Sequence, residues 1–301
     1  MLVGVAATAL VLAVLVAGAL WWLTRRVEGH DFVSRGVKLH YTDEGSGVPV
    51  VLLHGFAVNA DLNWRLPGLT DALAEEFRIV SLDLRGHGLS GKPRDPGQYG
   101  FEMARDVIAL LDHLGIPKAH VVGYSLGGII TLKLATTDPD RMWSASPLGS
   151  GWERPDDSAF LAAMDGIADA LESGSGVPPL AASLGGARER PGLLHTLWVR
   201  ALTRYLNDGP ALAAMVRGLR GLSVHEDELR RIPIPVCSIV GTLDPMKPGV
   251  DAMVGVVPDQ TVVYIEGADH LQAVRSPKLL EALREFLRAH GPRTSPRGDA
   301  P

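Results

Sequence analysis

Between residues 123 and 128 the chain reads Gly123-Tyr124-Ser125-Leu126-Gly127-Gly128. Before it lies a short apolar run, Ala119–Gly123, and after it a run with helical spacing, Ile129–Ala135, closed by Asp138-Pro139. An apolar run of this length reads as a buried strand, and the proline closes the helix. A strand that turns at once into a helix leaves no space for side chains beside the turn, which accounts for glycine at both of its ends. The turn projects Ser125 above the edge of a sheet, at the positive end of a helix dipole. The plainer alternative is a glycine-rich turn with a capping serine.

The rest of the chain supplies partners for that strand. Val48–Leu53, Arg78–Asp83, Met142–Leu148, Val236–Val240 and Thr261–Ile265 are further short strand-like runs. Leu62–Glu76, Phe101–Leu114, Pro248–Val256 and Pro277–Ala289 read as helices, and Asp31–Asp43 alternates about Arg35-Gly36 as a hairpin. Strands alternating with helices predict an α/β fold, a mostly parallel sheet with helices on both faces. From Trp152 to Arg231 no strand interrupts the helical pieces, among them Leu193–Leu206, so this stretch reads as an inserted helical cap. The expected organisation is an N-terminal segment 1–27, core 28–151, cap 152–231, core 232–290 and a disordered Pro/Gly-rich tail 291–301. With 301 residues, 46% of them apolar, the chain can bury one large core with an insertion.

Several classes of function lack support. The net charge is -5 and no Lys/Arg-rich run occurs, so no nucleic-acid partner is expected. Cys237 is the only cysteine, which leaves no intramolecular disulfide and no Cys-x-x-Cys pair. His-Glu-x-x-His, Gly-x-x-x-x-Gly-Lys-Ser/Thr and a helix-opening Gly-x-Gly-x-x-Gly are missing, so no metal and no cofactor are expected. Leu2–Leu23 carries no charge and is followed by Arg25 and Arg26, after Trp21 and Trp22. This predicts a single N-terminal membrane-spanning anchor, with the positive-inside rule placing the following domain on the cytoplasmic side. The rival is a signal peptide cleaved at Ala17-Gly18-Ala19, which would give an exported protein.

A serine hydroxyl is a weak nucleophile until a base takes its proton. Of ten histidines, His270 alone sits just past the last predicted strand, at the edge where α/β sheets keep their sites. The base needs an acid to fix its tautomer. Asp244 follows the strand ending at Val240-Gly241 and reaches the same edge. Asp269 adjoins His270, but neighbouring side chains usually point apart, and Asp156 and Asp157 are weaker alternatives. Attack by Ser125 would place negative charge on a carbonyl oxygen, which needs waiting donors. The N–H of Leu126 is one. The second is expected from Phe56, in the loop His54-Gly55-Phe56 after Val50–Leu53, with a plain turn as the alternative.

His54-Gly55-Phe56, Asp83-Leu84-Arg85-Gly86-His87-Gly88-Leu89-Ser90, the glycine turn at Ser125, Gly241-Thr242-Leu243-Asp244 and Gly267-Ala268-Asp269-His270 occur in order. Together, over about Phe32–His290, they resemble the α/β-hydrolase superfamily. The resemblance implies that fold, the chain order Ser125, Asp244, His270 for a catalytic triad, and a structural role for Asp83, Arg85 and His87. One departure is Asp269, where relatives often have glycine. The resemblance leaves the substrate open, since esterases, lipases, carbon–carbon bond hydrolases and cofactor-free haloperoxidases share the triad. Epoxide hydrolases and dehalogenases resemble the chain as well, but use aspartate where Ser125 stands. The expectation is a serine hydrolase that cleaves a small-molecule carboxylic ester through an acyl-enzyme. The large apolar residues of the insertion, from Leu180 to Val216, suggest a hydrophobic or lipid-derived ester. The alternative from another class is a non-catalytic module that binds a ligand under the cap.

Overall fold

The computed structural model describes residues 27–174 and 206–292. Eight strands form one sheet: β1 (His30–Ser34), β2 (Val37–Gly45), β3 (Val48–Leu53), β4 (Phe77–Leu82), β5 (Ala119–Tyr124), β6 (Met142–Leu148), β7 (Val236–Gly241) and β8 (Gln260–Ile265). Their order is β1-β2-β4-β3-β5-β6-β7-β8. Strands β3 to β8 run parallel, and β1 and β2 form an antiparallel edge. The hairpin turns at Arg35 and Gly36, with φ of 49° and 80°. Positive φ at both central residues is what a two-residue hairpin turn needs to follow the strand twist.

Central strands have two buried faces, and their residues alternate between two cores. Val51, Leu53, Val80, Leu82 and Val121 face α1 (Phe101–His113) and α2 (Leu126–Thr137), through Met103, Val107, Leu110, Ile130 and Leu134. Val50, Leu52, Ile79 and Val122 face the other way, onto Trp64, Leu73, Leu283 and Leu287. Each such side chain, fully buried, contributes about 1.5–3 kcal/mol. This is why the strands read as continuous apolar runs rather than alternating ones.

Two expectations are revised. Leu62–Glu76 is not one helix: a π-helical turn at Asp61–Arg65 is separated from a short α-helix at Leu69–Ala74. Pro67 cannot donate a helical hydrogen bond, and Gly68 adopts φ 85°. The expected membrane-spanning helix is also corrected. No helix among the described residues is long and apolar enough to cross a membrane. The longest of them has 15 residues, about 22 Å at 1.5 Å per residue, against a hydrocarbon core of about 30 Å. The run Leu2–Leu23 and its rival reading as a cleaved signal lie outside the described residues. So do residues 293–301 of the expected tail.

Of the segment expected as a cap, the described parts are helical. α3 (Ser158–Glu172) and α4 (Gly209–Gly218) pack together, with Ala168, Leu171, Leu212 and Met215 buried in the core that contains α1 and α2. Arg217 of α4 bonds Asp169 and Glu172 of α3 at 2.8 and 3.0 Å. Residues 175–205 lie outside the described residues, and with them Leu180, Leu184 and nearly all of Leu193–Leu206.

Candidate active site

The strand order decides where a site can form. The chain leaves β3 towards β4 on one side, while β5 lies on the other. Loops after β3 and β5 therefore diverge and open a crevice at the carboxyl ends of the strands. Ser125 stands there, directly after β5, as the N-cap residue of α2 with φ 54° and ψ −113°. For a residue other than glycine this left-handed conformation costs about 1–3 kcal/mol and needs support from its surroundings. The support is visible. The Ser125 N–H donates to Leu148 O (2.9 Å), and the Ile129 N–H donates to Ser125 O (3.1 Å). A Cβ on Gly123 would lie 2.0 Å from Gly127 O, one on Gly127 2.1 Å from Leu53 O, and one on Gly128 2.4 Å from Ser150 Cβ.

Asp244 and His270 come from the turns after β7 and β8 and meet at the same edge. Nδ1 of His270 lies 2.8 Å from Asp244 Oδ2, and both residues are buried. The other carboxylate oxygen, Oδ1, accepts the Met246 N–H at 2.8 Å. A carboxylate only accepts, so the imidazole proton sits on Nδ1 and Nε2 keeps a lone pair for a proton from a nucleophile. Asp269 does something else. Its Oδ1 accepts from Leu271 N (2.9 Å) and Gln272 N (2.8 Å), and Gln272 Oε1 accepts from Asp269 N (3.2 Å). That reciprocal pairing caps the short helix His270–Ala273 and fixes where the chain enters it. Asp157 caps α3 through Ala159 and Phe160, and Asp156 is exposed.

The loop after β3 runs beside the serine, since a Cβ on Gly55 would lie 3.5 Å from Ser125 Cβ. Its own N–H is taken by Asn63 Oδ1 (3.0 Å), so the next N–H along the loop is that of Phe56. His54 holds the loop from behind. Its Nε2 accepts the Leu84 N–H at 3.0 Å, which leaves Nδ1 to donate to Gly55 O at 2.7 Å. Leu126 is buried and supplies the first N–H of α2, where no preceding turn offers an acceptor. Sequence reading did not single out Asn63, which sits where one regular helix was expected, or this bracing role of His54.

Asp83, Arg85 and His87 brace rather than face the crevice. Asp83 accepts from the N–H groups of Ala60 (3.0 Å) and Leu89 (2.8 Å). Arg85 forms a bidentate pair with Asp106, both 1% exposed. Burial pushes the Asp106 carboxyl up against the pull of Arg85. His87 is wholly buried, and burial, with His54 adding to it, pushes its imidazole down to about 3.

One turn along α2 from Ser125, Ile129 lines an apolar pocket. Leu132, Trp152, Phe160, Met164, Val216 and Val224 are among its other apolar residues, and Glu153, Arg154, Asp165 and Arg220 among its polar ones. Its volume, open mouth included, is about 710 Å³. Ser125 is not among the lining residues. Among the described residues no cluster of His, Cys, Asp and Glu is placed to hold a metal ion.

An open, mostly parallel sheet with a serine on a strained strand-to-helix turn, and a buried Asp–His pair at the same edge, defines a hydrolase architecture. The sequence matches the family described as alpha/beta hydrolase fold over residues 48–272, and the chain belongs to it. Among curated relatives, it is 44% identical over 104 residues to the dihydrolipoyllysine-residue acetyltransferase component of the acetoin cleaving system of Pseudomonas putida, covering 35% of this chain and 27% of that protein. It is 37% identical over 121 residues to the soluble epoxide hydrolase of Corynebacterium sp. (strain C12), covering 39% and 40%. These matches span less than half of either relative. A thermophilic esterase from Thermogutta terrifontis has a similar structure, with TM-score 0.69, 26% identity and coverage of 88% and 99%.

Proposed function

We propose that this hydrolase cleaves a small-molecule carboxylic ester through an acyl-enzyme on Ser125. The observation that carries the reading is the buried 2.8 Å contact between His270 Nδ1 and Asp244 Oδ2, at the sheet edge where Ser125 stands on its strained turn. In this scheme His270 Nε2 takes the Ser125 hydroxyl proton as Oγ attacks the ester carbonyl carbon. The oxygen that becomes negative is held by the N–H groups of Leu126 and Phe56. Collapse of the adduct breaks the ester C–O bond, and His270 returns the proton to the leaving alcohol. Water, deprotonated by the same nitrogen, then releases the acid. Asp244 keeps the ring in the required tautomer and stabilises its protonated form.

The esterase likeness supports the choice of bond. The epoxide hydrolase relative is weighed against by Ser125, since a serine at the turn suits acyl transfer. An apolar pocket beginning at Ile129, walled in part by Phe160 and Met164 of α3 and Val216 of α4, supports a hydrophobic acyl group. Each methylene that enters such a pocket adds about 0.8 kcal/mol of binding. The test has two parts. A fluorophosphonate probe should label Ser125 in the wild type and leave Ser125→Ala unmodified; an inert, folded wild type would point to a ligand-binding module. Across p-nitrophenyl esters from acetate to laurate, kcat/KM should climb with acyl length. A steady fall from acetate would leave a small-ester hydrolase whose apolar pocket is structural.

A further inference from the structure

The scheme gives no task to Tyr124, yet this side chain joins the two halves of the candidate site. Tyr124 closes β5 and immediately precedes Ser125. Its phenol is buried, and its seat is made by Gly149, which has φ 52° and where a Cβ would lie 2.8 Å from Tyr124 Cζ. Trp64 packs edge-on against it, with ring centroids 6.3 Å apart. The hydroxyl donates to the carbonyl of His270, and the two rings lie 5.2 Å apart.

These partners are informative. In a continuing α-helix the His270 carbonyl would accept from the Val274 N–H. Here the helix ends at Ala273, the Val274 N–H turns to Gln272 O, and the phenol hydroxyl is what bonds the His270 carbonyl. The main chain of His270 is therefore held from two sides: by the Asp269 cap in front and by a side chain of the nucleophile turn behind. Aligning a base with a nucleophile to within a fraction of an ångström is worth orders of magnitude in rate, and rigid neighbours provide that alignment.

We propose that Tyr124 is a positioning residue: its hydroxyl, bonded to the His270 carbonyl, ties the base to the turn that carries the nucleophile. The proposal rests on the triad reading above and adds a residue to it. The test is Tyr124→Phe in the full chain, which keeps the ring and removes only the hydroxyl. Two readouts are needed, steady-state kinetics on p-nitrophenyl butyrate and the downfield proton resonance of the His270 Nδ1–H that faces Asp244. We expect kcat to fall at least tenfold with KM within twofold, and the resonance to move or broaden at a temperature well below Tm. A purely structural tyrosine would lower Tm and leave both readouts of the folded protein unchanged. Turnover within twofold of wild type overturns the proposal, whatever happens to Tm. If the wild type hydrolyses no ester, the triad reading fails separately, and the resonance alone decides about Tyr124: unchanged in the variant, it overturns the proposal. Should Tyr124→Phe not fold, 3,5-difluorotyrosine at position 124 keeps the bond and makes the phenol the more acidic donor, and the Nδ1–H resonance is read: it should move, and an unchanged resonance overturns the proposal.

Discussion

Replacing Asp244 by asparagine changes one atom and removes one charge, and the surroundings of Asp244 set the consequence. Its carboxylate accepts on both oxygens, from Met246 N on Oδ1 and from His270 Nδ1 on Oδ2, each at 2.8 Å. An amide has one oxygen and must choose. If the oxygen stays on Met246, the NH₂ faces Nδ1, and the imidazole can pair with it only by moving its proton to Nε2. That tautomer has no lone pair for the serine proton. If the amide flips, NH₂ meets the Met246 N–H, and the unsatisfied buried donor costs about 1–3 kcal/mol. In either arrangement the imidazolium formed in the transition state loses its counter-charge. At a separation of about 4 Å and an effective dielectric of about 20, that is about 4 kcal/mol. Together the two effects amount to about 5–7 kcal/mol, or on the order of 10⁴–10⁵-fold in kcat. Asp269→Asn is the control. Both of its accepted bonds fall on one oxygen, which asparagine retains, and asparagine caps helices as well as aspartate. It should change kcat by no more than a few fold. The assay is steady-state ester hydrolysis, with folding of each variant checked by circular dichroism. Asp244→Asn within tenfold of wild type, or Asp269→Asn the worse of the two, would refute the assignment.

Ser125→Ala should abolish turnover with little change in Tm, because among the described residues no bond from the hydroxyl braces the fold; turnover near wild type would end the acyl-enzyme scheme. Gly127→Ala puts a Cβ 2.1 Å from Leu53 O and should lower stability by about 1–3 kcal/mol, read from denaturant midpoints. Asp106→Ala leaves Arg85 buried without its partner and should cost about 3–5 kcal/mol in the same measurement. His120 is buried on β5, and burial pushes its imidazole down to about 4. The unfolded chain takes up a proton there below about pH 6.5 and the folded one does not, so stability should fall as pH drops through 6.5 towards 4. Between pH 7 and pH 5 the wild type should lose about 2 kcal/mol more than His120→Gln; equal losses would show that His120 titrates normally in the folded protein.

Much of this architecture was legible in the sequence for a local reason. A parallel strand buried on both faces must be a short apolar run, and a strand that turns directly into a helix must be clear of side chains at the turn. Val48–Leu53 and Met142–Leu148 were bounded to the residue, and Ser125 stood out because Gly123 and Gly127, two positions to either side of it, have no room for a Cβ. The break at Pro67-Gly68 was written locally, as a proline and a glycine, and the helical spacing around it hid it. The π-helical turn that places Asn63 on Gly55 N–H has no signature of its own. The order of Asp244 and His270 along the chain suggested partners, but 26 residues separate them. Only the parallel pairing of β7 with β8 puts their two turns side by side. The partners of Asp269 and Tyr124 were decided the same way. In the sequence one is a carboxylate next to a histidine and the other an unspecified position before a serine. The folded chain turns the first onto backbone donors and the second onto the His270 carbonyl, because the direction of a side chain is fixed by the element that carries it and by what packs against it.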